Sequence, residues 1–138
     1  MELAVNDLRL AHGEVSGQII GAFYDVYNDV GHGYPEAMYG AAMVIAMKDR
    51  GLKFVRERPL IVRYKGAIVG DYRADFVVED KIILELKAAE AIVAAHEGQV
   101  LSYLRASGLT VGLVLNFGAK AGVRRVIWTG NRVVSETA

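Results

Sequence analysis

The order of hydrophobic patterns along the chain predicts a mixed α/β fold, a central β-sheet with helices packed on it. Three observations carry this. Apolar residues recur at helical spacing over the first third, short β patterns fill the middle, and one further helical stretch separates those strands from later ones. The resulting order is two helices, three or four strands, a helix and two strands. A strand meander that then crosses over through a helix calls for a mixed sheet.

The first helix spans about Glu14 to Val30, with Val15, Ile19, Phe23, Val26, Tyr27 and Val30 on one side and Gly31 and Gly33 as its stop. Pro35 suits the first turn of a second helix, "PEAMYGAAMVIAMKDRG", closed by Gly51. Strand patterns follow in "KFVRERPLIVRY", where Pro59 marks a break or a sheet edge, and, after a turn at Lys65-Gly66, in "AIVG". Next comes "YRADFVVEDKIILELKA", two strands around a polar turn. "HEGQVLSYLRASG" is a helix stopped by Gly108, "LTVGLVLNFG" a buried-type strand, and "VRRVIWTG" a last one.

The bulk numbers narrow the class. A chain of 138 residues suits one domain over residues 1–138, and 53% hydrophobic residues is too many for disorder. Sixteen basic and sixteen acidic residues cancel, so any nucleic-acid contact must come from local clustering of charge. With no Cys there is no disulfide, thiolate zinc site or Cys nucleophile. His12, His32 and His96 show no zinc spacing. The stretch "MELAVNDLRLAH" lacks the basic start and long apolar run of a signal peptide, and no run is long enough to cross a bilayer. The expectation is a soluble cytoplasmic protein with no membrane association.

The chemistry concentrates in "YRADFVVEDKIILELKA". Strand alternation puts Glu85 and Lys87 on one face, with Ile82, Leu84 and Leu86 on the other. Asp75 joins Glu85 only if the turn has an odd number of residues, such as Glu79-Asp80-Lys81, or a bulge supplies the difference. Two carboxylates that close raise each other's pKa, and a hard divalent cation relieves the repulsion. Lys87 beside such an ion orients or helps deprotonate a water, or stabilises charge on a phosphate, which suits phosphodiester hydrolysis. The alternative is the solvated side of an amphipathic hairpin, against which stands the wholly apolar company of Glu85. On the following helix, His96, Gln99 and Tyr103 share a face beside a core side of Val100, Leu101 and Leu104. That row either serves the site or is a plain boundary between core and solvent.

Asp75, Glu85-Leu86-Lys87 and Gln99-x-x-x-Tyr103 together resemble the PD-(D/E)XK nuclease superfamily, with Ala74 where its naming Pro stands. "GYPEAMY", Gly33 to Tyr39, resembles the signature of the GxxExxY family within it, and similar stretches run to "RRVIW". The resemblance implies a restriction-endonuclease-like core and a Mg²⁺ or Mn²⁺ ion held by Asp75, Glu85 and the Leu86 carbonyl. Glu36 would reach the ion directly or through water, Lys87 would be the catalytic lysine, and Gln99 and Tyr103 would complete the site. DNA is the implied substrate, and a homodimer would extend the reach of so small a domain. The competing reading is a binding module on the same fold with catalysis weak or lost. A non-nuclease phosphoryl or sugar-phosphate hydrolase is a third.

Other residues have plainer expectations. Arg73 shares the face of Asp75 and is either a phosphate contact or solvent-exposed. Arg56, Arg58 and Arg63, with Lys53, form either a basic track or a solvated face. Tyr39 packs over Glu36 or joins the core. Asn116 reads as a strand-to-turn cap, Asp71 as a turn residue, Trp128 as core or interface, and Arg124-Arg125 as an unassigned basic pair.

Overall fold

In the computed structural model, residues 12–130 and 133–137 are described; the N-terminal stretch read above for a signal peptide lies, up to Ala11, outside them. The sheet has six strands in sequence order: β1 (Phe54–Tyr64), β2 (Ala67–Val78), β3 (Ile82–Lys87), β4 (Val111–Phe117), β5 (Ala121–Trp128) and β6 (Val133–Thr137). All neighbours are antiparallel except β3 and β4, which run parallel because α3 (Ala94–Ser107) carries the chain across. This is a mixed-sheet α+β fold of the restriction-endonuclease-like kind. α1 (Gly13–Val30) and α2 (Glu36–Asp49) complete the helices among the described residues.

Strand alternation sorts the core into two layers. Ile82, Leu84 and Leu86 of β3 join Leu113 and Leu115 of β4 under α1 and α2, with Ile19, Phe23, Tyr39 and Met43. Ile83 of β3 and Val114 of β4 face the other way, onto Val100, Tyr103 and Leu104 of α3. Each fully buried aliphatic side chain stabilises by about 1.5–3 kcal/mol. On the first face, Phe117 receives Phe23 edge-on at 4.7 Å and stacks on Tyr39 at 4.1 Å. On the second, α3 lies so close to β4 that a Cβ at Gly112 would collide with Val100.

The helices stop where expected. Gly31 (φ 71°) and Gly108 (φ 77°) donate back to Tyr27 O and Leu104 O, in conformations that glycine adopts without strain. Three expectations change. "AIVG" and "YRADFVV" are one strand, so Asp71 sits in β2 opposite Ile61 and is not a turn residue. β1 runs unbroken through Pro59, which its outermost place in the sheet permits; the edge reading of Pro59 holds and the break does not. A further strand, β6, follows "VRRVIWTG"; it is short and half exposed, so its apolar alternation is faint.

Candidate active site

The register of β2 and β3 decides whether the ionisable residues meet. Val78 pairs with Ile82, Val77 with Ile83 and Phe76 with Leu84, leaving the three-residue turn Glu79-Asp80-Lys81. Glu79 and Asp80 both adopt the left-handed conformation, and Glu79 is tied at both its N–H and its carboxylate to the backbone of Lys53. The odd turn brings Asp75 and Glu85 onto one level, as the alternation argument requires.

At that level the backbone ladder ends. Asp75 N–H donates to Glu85 Oε1 at 2.9 Å, and Leu86 N–H donates to Asp75 Oδ2 at 2.7 Å. Each carboxylate thus takes the place of a backbone acceptor on the other strand, which keeps these amides from being stranded unpaired. On the other side of β2, Arg56–Phe76 and Arg58–Ala74 pair, but Glu57 and Asp75 between them do not, and Glu57 is left-handed at φ 54°. Asp75 therefore sits where its strand is loosened from both neighbours.

Glu85 is 3% exposed. Burial foremost, then the neighbouring Asp75 charge, pushes its carboxyl up to about 8; the Asp75 N–H and the Lys87 ammonium oppose this. Metal-free, Glu85 keeps its proton well above the ordinary carboxylate range. Tyr103 is buried beside the pair, and burial followed by the charge of Glu85 raises its phenol. Gln99 Nε2 donates to Tyr103 Oη at 3.1 Å, so the Gln-x-x-x-Tyr pair of α3 is a joined unit at the carboxylates. Lys87, half-buried, follows Glu85 on its face and forms no ion pair among the described residues.

Glu36 opens α2 after Pro35, exposed, and its dipole-favoured position is as the sequence suggested. It lines a pocket of about 230 Å³ together with Gly40, Arg56, Glu57, Asp75, Phe76 and Leu86. Glu85 and Lys87 do not line that pocket; Asp75 is the link between the two sides. Among the described residues no three His, Asp or Glu side chains close into a ready ligand cluster. The donor chemistry nonetheless fits a hard divalent ion of the Mg²⁺ type, which needs only one or two carboxylates with waters and a carbonyl.

The remaining expectations sort cleanly. Tyr39 is core: its hydroxyl donates to Gly31 O at 2.6 Å and accepts from Tyr34 N–H, and its ring is fully buried. His96 caps α3, its Nδ1 accepting from Val93 N–H. Asn116 does not cap its own turn. Its amide exchanges two 2.9 Å hydrogen bonds with the backbone of Ala89 and so fixes the chain as it leaves Lys87. Arg124 and Arg125 point to opposite faces, Arg124 onto Glu97 of α3 at 2.6 Å and Arg125 onto Ser16 of α1 at 2.7 Å. Trp128 packs in the α3 layer. There is no basic track: Arg58 approaches Asp80, Arg63 donates to Gly66 O, and Arg56 turns into the pocket. Arg73 is exposed on β2. Glu57 and the anchoring by Asn116 were not foreseen; an Asn inside an apolar strand was the one signal available for the latter.

Fold and site define a mixed-sheet α+β protein with two carboxylates, each held by a backbone amide of the opposite strand, where its central strands part. A model of the PD-(D/E)XK nuclease superfamily matches residues 13–126, a span that runs from α1 into β5, and the chain belongs to that superfamily. That superfamily is one of nucleases, and its members generally use divalent metals. No curated protein matches the sequence. A solved structure entitled "Crystal structure of SSO0001" is similar at 14% identity and a TM-score of 0.46 over 73% of this chain. The match spans 48% of that longer chain. Among the described residues no helix is long and apolar enough to cross a membrane.

Proposed function

We propose that this chain is a Mg²⁺- or Mn²⁺-dependent nuclease of the GxxExxY type that hydrolyses DNA phosphodiester bonds. One observation carries the reading: Asp75 and Glu85 lie across the gap between β2 and β3, each held by a backbone amide of the opposite strand, with Lys87 next on the same strand face. Burial foremost and then the neighbouring Asp75 raise the Glu85 carboxyl, and a divalent cation at the pair would offset both. Asp75, Glu85 and the Leu86 carbonyl would hold the ion, and Glu36 would reach it across the pocket, directly or through water. Such an ion supplies a Lewis acid and lowers the pKa of water.

The chain's own residues do the rest. Lys87 sets a positive charge beside the carboxylates, where it orients the attacking water and offsets charge growing on the phosphate. Tyr103, held by Gln99, presents a hydroxyl at the same place. Burial of Glu85 keeps bulk water from screening these charges.

Purified protein with Mn²⁺ is expected to cleave at least one of single-stranded, duplex or branched DNA. Lys87→Ala should lower the rate at least about a hundredfold while leaving the thermal midpoint unchanged. If no DNA form is cut, catalysis as stated fails. The binding-module reading then gains, and its own mark is calorimetric: no Mg²⁺ or Mn²⁺ bound at Asp75 and Glu85.

A further inference from the structure

The pocket in front of Asp75 contains a cation as well as carboxylates. Arg56, one of a group of arginines with no assigned task, turns its side chain into it. The guanidinium stands over the Phe76 ring, 5.8 Å from its centre, where the π-face holds a cation without neutralising it. On its other side lies Gly40 of α2. A Cβ there would come within 2.9 Å of Arg56 Nη2, so the absence of a side chain at Gly40 makes room for the guanidinium. Glu36, Glu57 and Asp75 line the same pocket, yet Arg56 forms no ion pair with any of them. Among the described residues its five donors have no hydrogen-bond partner.

We propose that this pocket is a phosphate subsite in which Arg56 binds a backbone phosphate of the nucleic acid beside the bond to be cut. The proposal rests on the nuclease reading of the adjoining carboxylates. The chemistry is specific to a tetrahedral oxyanion with a diffuse negative charge. A planar guanidinium offers such a group two parallel hydrogen bonds, and the pocket volume accommodates a phosphate with its bridging oxygens. A carboxylate ligand would meet the three acidic side chains lining the pocket. A phosphate meets them too, and would tolerate them with a cation held at Asp75 to offset their charge while Arg56 supplies the hydrogen bonds. A chain of zero net charge that acts on a polyanion needs local cations of this kind.

The test uses the full chain and a fluorescein-labelled DNA duplex of about 20 base pairs, a length spanning two helical turns. Anisotropy is read with Ca²⁺ in place of Mg²⁺ or Mn²⁺, a larger oxygen-seeking ion that fills the carboxylate site, with the duplex checked on a gel to be uncut, over a series of salt concentrations. Arg56→Ala is expected to weaken binding about tenfold and to lower the salt slope by about one unit. Arg56→Lys should restore the slope and only part of the affinity, since a point charge does not make the bidentate contact. Gly40→Ala keeps every charge and displaces the guanidinium, and should weaken binding with the slope retained. A duplex with one neutral methylphosphonate at the contacted position should bind wild type as poorly as Arg56→Ala binds the normal duplex, with no further loss for the variant. An unchanged Kd and slope for a folded Arg56→Ala protein overturn the subsite, as does absence of DNA binding by wild type. Binding that depends on Arg56, in a protein that cuts no DNA with Mn²⁺, upholds the subsite and defeats only the nuclease reading.

Discussion

Strand β3 has two edges, and they behave differently. Toward β4 it is paired along its whole length, Ile82 with Val111 through Lys87 with Asn116. Toward β2 it is paired for three residues only, and from there the carboxylates of Asp75 and Glu85 take over the backbone amides. The paired edge is mostly apolar packing, with Glu85 and the Lys87–Asn116 pair as its polar members, and it holds the two strands together. The parted edge gives up ladder hydrogen bonds and gains two side chains fixed by the amides that the ladder left over. The same failure of pairing recurs on the far side of β2, at Glu57. The contrast suggests that this site is made by withholding sheet structure at one level, with the surrounding sheet keeping the gap in register.

The contrast predicts that damage at the paired edge is a matter of stability. Leu113, fully buried opposite Leu84, is the place to break it. Leu113→Ala should cost about 2–5 kcal/mol, the lost transfer energy plus the cavity, read as a shift in the denaturant midpoint. A cost below about 1 kcal/mol, less than the usual Leu→Ala range, would mean that the β3–β4 edge is not what holds the sheet.

Asn116 stands at the end of that edge and serves the other. Asn116→Ala removes both bonds to Ala89 and should cost about 1–3 kcal/mol, because Ala89 is left with unpaired backbone groups. It should also lower kcat with little change in KM, since the segment leaving Lys87 is no longer fixed. A variant with lost stability and intact kcat would confine Asn116 to the paired edge.

Much of this arrangement was legible in the sequence. Alternation in "IILELKA" told which residues of β3 share a face, and the meeting of Asp75 with Glu85 called for an odd turn or a bulge, of which the structure has the odd turn. The Gln99–Tyr103 spacing put both on one face of α3, where they are in fact hydrogen-bonded. What escaped notice depends on tertiary neighbours. Nothing local at Arg56 says that Gly40 and Phe76 receive it, and nothing in "RERP" announces a left-handed glutamate. β6 escaped because an exposed edge strand needs little apolar alternation.

The parted edge has a pH signature in metal-free protein. The folded-state pKa of Glu85, about 8, lies above its ordinary value of 4.5. Between these values the unfolded chain gives up the proton that the folded chain keeps. Stability is therefore greatest below pH 4.5 as far as this group is concerned, falls as pH rises through the window, and levels off above about 8. Glu85→Gln keeps an oxygen for the Asp75 N–H and removes the titration. Its stability relative to wild type should rise by roughly 2 kcal/mol from about pH 5 to about pH 6.5, measured by urea unfolding in EDTA. A constant difference across that range would mean that Glu85 is already ionised and the gap is better solvated than its burial suggests.

Glu57 tests whether the gap on the outer side of β2 is backbone or side-chain in origin. Its φ of 54° is costly for any residue with a Cβ, by about 1 kcal/mol. Glycine removes that cost and adds some entropy to the unfolded chain, so Glu57→Gly should stabilise by only about 0.5 kcal/mol. Glu57→Ala keeps the strain and loses the carboxylate, so it should not share the gain. If both variants stabilise equally, crowding of acidic groups in the pocket is what strains this position. If glycine alone does, the unpaired level at Asp75 is imposed by the backbone, and the carboxylate pair occupies a gap that the strands themselves create.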